Sequence, residues 1–332
     1  MKTKNTKYDI ITFGSATEDI FLKLKKGNFR VLRNKEFITQ KALCFSLGSK
    51  IELSDLKICS GGGGTNTAAT FSEQGFKIIF CGKIGQDLAG EKVLEDLRRF
   101  KINTCSVKKD NKRATALSVI LSTGLTRTVL IHRGACHFMQ KKDILWQNLK
   151  TKWFYLAPLS GKSAFLFPHL VNFAKRNKIK TAVNIGNSQI NLSSNILKPI
   201  FSKIDILILN QQEAALLTKT SYQKENEILR KLNKLTSKII VMTKGKRGVV
   251  VSDKKYKWSA GVLPVKSIEK TGAGDAFGAG FLSGLIRKND IAFAIQLGTA
   301  NAAACLQKTG TKQGLLKKGE SWQRIKVIKK AI

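Results

Sequence analysis

The sequence lacks several features that mark particular classes of protein. No apolar run approaches the length of a membrane-spanning helix, and residues 1–7 lack the apolar stretch of a signal peptide. The six cysteines form no CxxC pair, and no histidine stands at metal-ligand spacing from them. We therefore expect a cytoplasmic protein with reduced thiols, without a membrane partner and without a cysteine-based metal site.

Acidic residues are also scarce. The chain has 22 Asp and Glu against 59 Lys and Arg, which gives a formal net charge of +37. Such an excess is common in nucleic-acid-binding proteins. Here, however, the basic residues are scattered between apolar runs, and aromatics amount to only 8% without the aromatic–basic interleaving that stacks bases. We expect solvated lysines at exposed positions and no physiological nucleic-acid partner.

The apolar content, 42% of 332 residues, is enough for a large buried core. Predicted strands and helices alternate along the second half of the chain, as in a mostly parallel sheet with helices on both faces. The predicted strands of this alternating part are 153–156, 181–184, 204–209 and 238–242. The predicted helices of the whole chain include 66–74, 90–100, 163–176, 212–217, 225–235, 272–287 and 291–307.

Two segments do not follow this rhythm. Residues 19–58 look mostly irregular, with short β-like runs. Residues 112–134 contain two β-like runs, 114–121 and 127–131, on either side of a short turn, which predicts a hairpin. We expect both segments to form a small sheet, set apart like a lid, within one domain spanning residues 8–332.

A glycine-rich stretch near the C-terminal end carries the clearest chemistry. Gly272, Ala273 and Gly274 are small and open a predicted helix, whose first amide groups have no intrahelical acceptor. They can form an anion site reinforced by the helix dipole, which suits a phosphoryl group in transfer. Asp275 follows in the first turn, where a carboxylate can accept a proton from an attacking alcohol. The alternative is a glycine-rich helix start with an ordinary first-turn acid.

Five motifs in order make the chain similar to one family. Residues 271–277 (TGAGDAF) resemble the C-terminal signature of the ribokinase/PfkB family of carbohydrate and nucleoside kinases. Residues 61–68 resemble the N-terminal signature of that family, and 83–90 resemble the segment that follows it. Residues 210–213 match its NxxE motif, and 243–245 match its TKG turn. Five ordered motifs are far more specific than any one of them.

This resemblance implies a fold and an activity. The fold is a ribokinase-like three-layer α/β/α domain with a mostly parallel central sheet and a small β-sheet lid. The activity is transfer of the γ-phosphoryl group of ATP to a hydroxyl of a small sugar, with Mg²⁺ as cofactor. The alternative on the same fold is a nucleoside kinase, and the sequence does not separate the two substrates. The family also suggests a homodimer formed through the lid.

On the substrate side, the resemblance assigns four residues. Asp19 would bind substrate hydroxyls, since a carboxylate can accept from two vicinal hydroxyls; the alternative is a loop carboxylate without a special role. Gly61 and Gly62 would let the backbone approach the substrate. Asn66 would offer a donor and an acceptor, and the alternative is a plain helix N-cap. Arg133 is a further candidate for substrate contact, or a solvated arginine.

On the nucleotide side, the resemblance places Asn184, Thr243 and Gly245 along the phosphates of ATP. A weaker candidate for the adenine side is Asn301, whose alternative is an amide on the helix surface.

The metal site is assigned to the NxxE motif. Asn210 and Glu213 would organise Mg²⁺ largely through water, as this ion prefers. The alternative for Glu213 is a helix-capping carboxylate.

The chain departs from the family pattern just before the glycine-rich stretch. Glu269 and Lys270 stand where the family usually has Asp-Thr, in a region that helps similar enzymes bind an activating K⁺. The longer carboxylate and the added ammonium group make K⁺ activation doubtful.

Overall fold

A computed structural model of the protein describes residues 8–33, 35–37, 40–124, 127–235 and 238–332. The β-strands in these ranges are β1 (Ile10–Phe13), β2 (Thr17–Leu24), β3 (Arg30–Arg33), β4 (Lys41–Cys44), β5 (Leu53–Gly61), β6 (Ile78–Gly85), β7 (Asn103–Asp110), β8 (Ala116–Ser122), β9 (Arg127–His132), β10 (Trp153–Leu156), β11 (Lys180–Asn184), β12 (Ile206–Asn210), β13 (Ile239–Thr243), β14 (Val249–Ser252), β15 (Tyr256–Ala260) and β16 (Ile328–Ala331). The α-helices are α1 (Gly63–Glu73), α2 (Leu88–Arg99), α3 (Phe167–Arg176), α4 (Asn187–Ile190), α5 (Ser194–Phe201), α6 (Gln211–Thr218), α7 (Glu225–Leu235), α8 (Ala273–Lys288) and α9 (Ile291–Leu306).

The main sheet has ten strands in the described residues, in the order β16-β15-β14-β13-β12-β11-β10-β1-β6-β7. The pairs from β13 through β1 to β7 are parallel, and the pairs from β13 to β16 are antiparallel. Most of the parallel strands are largely apolar, β7 excepted; all eight residues of β6 and all four of β1 are buried. Such runs are expected where helices cover both faces of a sheet.

Two hydrophobic cores lie on the two faces of the main sheet. Side chains of α1, α2, α8 and α9 pack in one core, and Phe71 and Phe281 are its largest fully buried helical residues. Side chains of α3, α5 and α7 pack in the other core, with Phe167 and Phe201. The predicted three-layer α/β/α architecture with a mostly parallel central sheet is confirmed.

A second sheet stands apart from the main one, in the order β5-β2-β8-β9, and β3 and β4 form a separate ribbon. The hairpin prediction is confirmed: β8 and β9 are antiparallel, with Ser122 opposite Arg127. Residues 125 and 126 of its turn lie outside the described residues.

The prediction that residues 19–58 are mostly irregular is wrong. The segment contributes most of β2 and β5, which have eight and nine residues. Their alternation is incomplete: Ile20, Leu22, Leu56 and Ile58 share one face, but Phe21 lies on the other face and the pairing shifts register at Lys23 and Leu24.

Other differences are smaller. Strands β7, β15 and β16 were not predicted; all four residues of β16 are exposed and its sequence is half lysine. Helix α1 begins at Gly63, three residues earlier than predicted.

The parallel order determines where a site can form. The carboxyl ends of β1, β10, β11, β12 and β13 meet at one edge of the main sheet, which is where open α/β sheets bind their ligands. In the described part of the chain, none of the helices is both long and apolar enough to cross a bilayer.

Candidate active site

Two cavities meet at the N-terminus of α8. The first, of about 260 Å³, lies between this helix, the start of α1 and the small sheet. The second, of about 680 Å³, lies on the other side, between α8, α9 and the loops that follow β13 and β15. Gly272 lines the first cavity, and Ala273 and Gly274 line the second. The helix start is therefore the wall that the two cavities share.

The backbone explains why α8 starts here. Gly272 is the N-cap residue, with φ +84°, and a Cβ at this position would lie 3.0 Å from the carbonyl oxygen of Thr311. A side chain at position 272 would therefore be strained in both backbone and packing. No side chain in the described part of the chain caps α8, so the amide groups of its first turn remain available to an anion.

Asp275 is the third residue of α8 and lines the first cavity. Its Oδ2 accepts a hydrogen bond of 2.9 Å from Nδ2 of Asn66. Burial raises the pKa of Asp275 above its usual value. The Asn66 hydrogen bond opposes this rise, and the charge of Asp19 adds to it. A carboxyl group with a raised pKa, facing a cavity, is suited to take a proton from a bound alcohol.

Asn66 lies in the second turn of α1, whose N-cap is Gly62. The alternative reading of Asn66 as an N-cap is therefore wrong, because the helix begins earlier than predicted. Its side chain also lines the first cavity. Asn66 Oδ1 is buried and has no hydrogen-bond partner among the described residues. Asn66 therefore orients Asp275 through its amide nitrogen, and its amide oxygen is left able to accept a hydrogen bond from a ligand.

The paired glycines have different roles. Gly62 lines the first cavity with φ +96°, and a Cβ there would come within 2.5 Å of the carbonyl oxygen of Ser15. Gly61 is not among the lining residues. A Cβ at Gly61 would lie 1.9 Å from Oδ2 of Asp19. The structure corrects the prediction for Gly61: its missing side chain makes room for the Asp19 carboxylate and not for a substrate.

Asp19 lies within strand β2, so the alternative reading as a loop carboxylate is wrong. It is only 4% exposed and lines the first cavity. Its Oδ1 accepts a 2.7 Å hydrogen bond from Thr17, and Ser118 is its cross-strand neighbour. Burial raises the pKa of Asp19, and the hydrogen bonds from Thr17 and Ser118 oppose that rise.

A buried lysine that was not predicted from the sequence acts electrostatically on the carboxylates of both Asp19 and Asp275. Lys312 is 4% exposed, and its Nζ lies 3.1 Å from Oδ2 of Asp96 and 3.0 Å from the carbonyl oxygen of Ser60. Burial lowers the pKa of Lys312, and Asp96 opposes this. The positive charge of Lys312 lowers the pKa of both Asp19 and Asp275. It is an electrostatic neighbour of the site without lining either cavity.

The second cavity contains two of the predicted nucleotide-side residues, Thr243 and Gly245. Its wall is mostly apolar and suits a flat base; it includes Val249, Val262, Leu263, Pro264, Val265, Phe277, Ala302, Ala303 and Leu306. Lys246 and Lys270 lie at its border. Lys270, whose ammonium group was expected to disturb a cation site, therefore faces this cavity.

Asn301 does not face the second cavity, so its prediction as an adenine contact is wrong. The residue is 0% exposed. Its Nδ2 donates to the carbonyl oxygen of Ala276 (2.8 Å), and its Oδ1 accepts from the backbone N–H of Leu316 (2.9 Å). Asn301 joins α9 to α8 and to the chain that follows. Its neighbours Thr299 and Ala302 line the cavity instead.

Three predicted residues do not line the cavities: Asn184 and Asn210 lie at strand ends, and Glu213 lies in the first turn of α6. Asn184 ends β11, and Asn210 ends β12 directly opposite Thr243. Asn210 and Glu213 form a capping box: Asn210 Oδ1 accepts from the Glu213 N–H (2.9 Å), and Glu213 Oε2 accepts from the Asn210 N–H (2.8 Å). The capping role of Glu213 is therefore present.

The capping box leaves Glu213 able to serve a cation. Burial raises the pKa of Glu213, and no ion pair with it occurs within the described ranges. Its Oε1 is not used by the capping box. The described residues include no group of three or more His, Cys, Asp or Glu that could hold a metal ion directly. Asn210 and Glu213 would therefore hold Mg²⁺ largely through its waters, as this ion usually binds.

Comparison with known proteins agrees with this geometry. Residues 37–318 match the sequence model described as pfkB family carbohydrate kinase. The chain belongs to this family. A ribokinase of Haemophilus influenzae is 26% identical over 284 residues, which cover 81% of this chain and 88% of that protein.

Solved structures share the fold. Arabidopsis thaliana ribokinase complexed with ribose and ATP has a TM-score of 0.76 at 19% identity, and covers 93% of this chain and 96% of its own. A Methanocaldococcus jannaschii nucleoside kinase has a TM-score of 0.73 at 19% identity, with 94% and 96% covered. The predicted ribokinase-like fold and the predicted class of activity, an ATP-dependent phosphotransferase acting on an alcohol group of a carbohydrate, are both confirmed for this PfkB kinase.

This PfkB kinase has an ion pair on a buried carboxylate where its sequence departs from the family pattern. Glu269 is 8% exposed, and its Oε1 accepts hydrogen bonds from the N–H groups of Lys270 (2.7 Å) and Thr271 (2.9 Å) and from the Thr271 hydroxyl (2.8 Å). The Arg127 guanidinium of the small sheet pairs with the same oxygen. The pKa of Glu269 is lowered overall: burial raises it, but the contacts with Thr271 and Arg127 outweigh burial.

Several lining residues of the kinase's first cavity were not predicted. Ser118 and Ile131 face it from β8 and β9, Cys136 from a short 3₁₀ helix (Ala135–Phe138), and Ser160 from a loop. Arg133, a candidate from the sequence, also lines it. Strand pairing places Ser118 and Ile131 beside Asp19, and that pairing has no signal in a single sequence.

Proposed function

We propose that Asp275 is the base of this kinase and that the N-terminus of α8 holds the phosphoryl group in transfer. The observation that carries the proposal is the shared wall between the two cavities. Asp275 faces the smaller cavity, while Ala273 and Gly274 face the larger one. A hydroxyl in the first cavity and a phosphate chain in the second would meet at this helix start.

The substrate hydroxyls would be held from the small sheet. Asp19 can accept two hydrogen bonds, with Thr17 and Ser118 fixing its orientation. Asn66 would keep the Asp275 carboxylate turned toward the reacting hydroxyl. As the hydroxyl attacks, Asp275 takes its proton, and the first amide groups of α8 stabilise the charge on the phosphoryl oxygens.

We propose a small sugar rather than a nucleoside as the acceptor. The first cavity, at about 260 Å³, is below the roughly 300–1,000 Å³ of pockets for drug-sized ligands. A monosaccharide fits such a space better than a sugar with an attached base. Nucleoside kinases do occur among proteins of this fold, as the Methanocaldococcus jannaschii structure shows.

The experiment is a panel of pentoses, hexoses and nucleosides with ATP and Mg²⁺, followed by ADP release. We expect turnover with one or a few monosaccharides. Efficient turnover with nucleosides alone would contradict the sugar assignment. Turnover in Asp275→Asn equal to the wild-type rate would contradict the base assignment.

We propose that Asn210 and Glu213 serve Mg²⁺ through its waters, while Asn184, Thr243 and Gly245 lie along the nucleotide. Bound Mg²⁺ neutralises charge on the phosphates during transfer. Support comes from the position of Asn210 opposite Thr243 and from the half-buried Glu213 carboxylate. Glu213→Ala should raise the Mg²⁺ concentration needed for activity, whereas Glu227→Ala, at a position of α7 that pairs with Lys224 and Lys231, should not. Full activity in excess EDTA would contradict this role.

We propose that K⁺ does not activate this kinase. The Glu269 carboxylate already has a cation from within the chain, the Arg127 guanidinium. A second cation beside the same buried carboxylate would be repelled by that guanidinium. The departure from the family pattern at positions 269 and 270 then has a physical consequence. The Arg127 side chain supplies the positive charge that a bound K⁺ would otherwise provide.

We propose that the four-stranded sheet acts as a lid on one kinase domain spanning residues 8–332. Its inner row, with Asp19, Ser118 and Ile131, faces the substrate cavity. Its opposite face is apolar, because strand alternation and pairing place two rows of aliphatic residues there: Ile58, Ile20, Val119, Leu130 and Leu56, Leu22, Leu121.

That apolar outer face supports a homodimer through the lid. Leu56 and Leu130 are more than half exposed in the single chain, and burial against a second copy would remove them from water. Sedimentation velocity tests the proposal. The wild-type protein should sediment as a dimer and Leu130→Glu as a monomer, while a wild-type monomer at micromolar concentration would contradict it.

We propose that nucleic acid is not the physiological partner and that the protein works in the cytoplasm. The basic residues lie on separate elements, including α3, β7 and β16, rather than along one groove. All six cysteines are free thiols, as expected in a reducing compartment. Submicromolar, sequence-dependent RNA or DNA binding at physiological salt would contradict the first proposal.

A further inference from the structure

A third cavity, of about 700 Å³, lies away from the site just described. It opens between α3 and two short 3₁₀ turns that precede β10, and residue Lys203 after α5 closes one side. None of its lining residues belongs to either of the two cavities at α8. The kinase reaction gives it no role.

The charge of this cavity is of one sign. Lys141, Lys175, Arg176 and Lys203 line it, together with His169. None of the described lining residues is acidic, and none of these four cations forms a salt bridge with a described carboxylate. The Nζ of Lys203 is held by Oδ1 of Asn172 at 2.6 Å. Cations from three separate elements thus converge without a counter-charge from the described protein, an arrangement that attracts anions.

The cavity also has an aromatic wall. The rings of Trp146 and Phe173 lie 5.1 Å apart between centroids, and both residues are half-buried. The indole N–H of Trp146 donates to the carbonyl oxygen of Lys141 at 2.9 Å, which fixes the orientation of the ring. Phe173 is stacked in turn on buried Phe154. These contacts hold both rings in place, so that they can present an aromatic surface to a ligand.

We propose that this cavity binds a small phosphorylated molecule with a planar ring, of the mononucleotide type, at a site separate from catalysis. Lysine and arginine side chains are suited to the phosphate, and the fixed aromatic wall is suited to the ring. The volume lies within the range of small-molecule pockets. A nucleic acid strand would instead need an extended groove of cations and stacked rings.

His169 offers a direct readout of this site. Partial burial lowers its pKa, and the charge of Lys141 lowers it further, which favours the neutral imidazole. A bound phosphate would favour its protonated form. The chain has only three histidines. His132 lines the substrate cavity and His137 contacts Ser160 beside it, so these two report on the active site separately.

The experiment is an NMR titration of the full-length protein with ¹³C-labelled histidine, using AMP as the probe at about 150 mM salt, where diffuse attraction is largely screened. The test variant is Lys175→Glu/Arg176→Glu. The control, Lys178→Glu/Lys198→Glu, makes the same change in net charge at exposed positions outside the cavity. We expect AMP to shift the His169 signal saturably in wild type and control, and at least about tenfold more weakly in the test variant.

Inorganic phosphate and adenosine, titrated separately, should each bind the third cavity more weakly than AMP does. Unchanged His132 and His137 signals and normal kinase activity would show that the test variant is folded. The proposal fails if AMP moves only His132 and His137, or if both double variants weaken the His169 response equally. It also fails if inorganic phosphate binds as tightly as AMP. Tighter binding of an RNA oligomer than of AMP would overturn it in favour of a nucleic-acid surface.

Discussion

The two sides of the substrate cavity are built differently. On the side of α8, ten consecutive residues, 276–285, are buried, and glycines allow the helix to pack against α9 and Tyr155. On the side of the small sheet, all six residues of β9 are exposed, and functional groups come from cross-strand neighbours. The chemical half of the site, which is Asp275 and the start of α8, is therefore supported by the buried core. The binding half, which is Asp19 and its cross-strand neighbours, lies on a sheet that the core does not cover.

The largest effect should come from the α8 side. Asp275→Asn removes the base and keeps the shape and the contact with Asn66, so we expect kcat to fall ~100- to 10,000-fold. ATP binding and the thermal midpoint should change little, because the α8 amide groups are untouched. Steady-state kinetics on the true substrate measure this. If sugar binding falls as steeply as kcat, the division between a chemical and a binding half is wrong.

On the side of the small sheet, Gly61→Ala should weaken sugar binding and leave the catalytic step unchanged. The added methyl group would overlap Asp19 Oδ2 and force the carboxylate out of place. Loss of a charged hydrogen bond to substrate predicts a KM for sugar roughly 10- to 100-fold higher, with the KM for ATP unchanged. Asp55→Ala, an exposed position of the same strand, is the control. An unchanged KM for sugar would mean that Asp19 does not bind it.

The link between the two halves is the Arg127–Glu269 pair. Arg127→Ala leaves a mostly buried carboxylate without its cation, so we expect kcat/KM to fall by about tenfold and K⁺ or guanidinium to restore part of it. Wild type and the exposed control Arg30→Ala should respond to neither ion. Rates in KCl and in a large organic cation at equal ionic strength measure the effect. Strong K⁺ activation of the wild type would contradict the proposal.

The smallest effect concerns Lys312, which acts on both halves. Asp275 must be ionised to accept a proton, and Lys312 lowers the pKa of Asp275. Lys312→Met should therefore raise that pKa and move the acid limb of the pH profile of kcat/KM upward by a fraction of a pH unit. The exposed control Lys308→Met should leave the profile in place. A downward shift would mean that Lys312 does not act through charge.

Much of the fold and part of the site follow from sequence. Continuous apolar strands and long helices such as α7 were predicted correctly because their pattern is local. The motif at 272–275 was placed at a helix start because small residues and a first-turn acid have a local meaning. Residues 19–58 were not predicted as two long strands, since Phe21 interrupts the alternation of β2 and the pairing with β5 joins residues distant in the chain.

Side-chain direction was the least predictable property. Asn301 lies one residue away from cavity-lining Ala302, but its amide joins α9 to Ala276 and Leu316. Gly61 and Gly62 are adjacent, but one gives space to Asp19 and the other turns the backbone past Ser15. Sequence spacing gives the residues of a site, whereas the direction of each side chain depends on neighbours distant in the chain.

The sequence by itself determined the family, the alternating α/β core and the glycine-rich start of α8, because each depends on residues close together in the chain. Only the tertiary structure decided that Asp19 lies beside Ser118 and that Arg127, 142 positions away in the chain, neutralises Glu269. It also decided that the charge of buried Lys312 acts on the carboxylates of Asp19 and Asp275. These pairings arise from strand register and from burial, which allows a charge only where a partner is within reach.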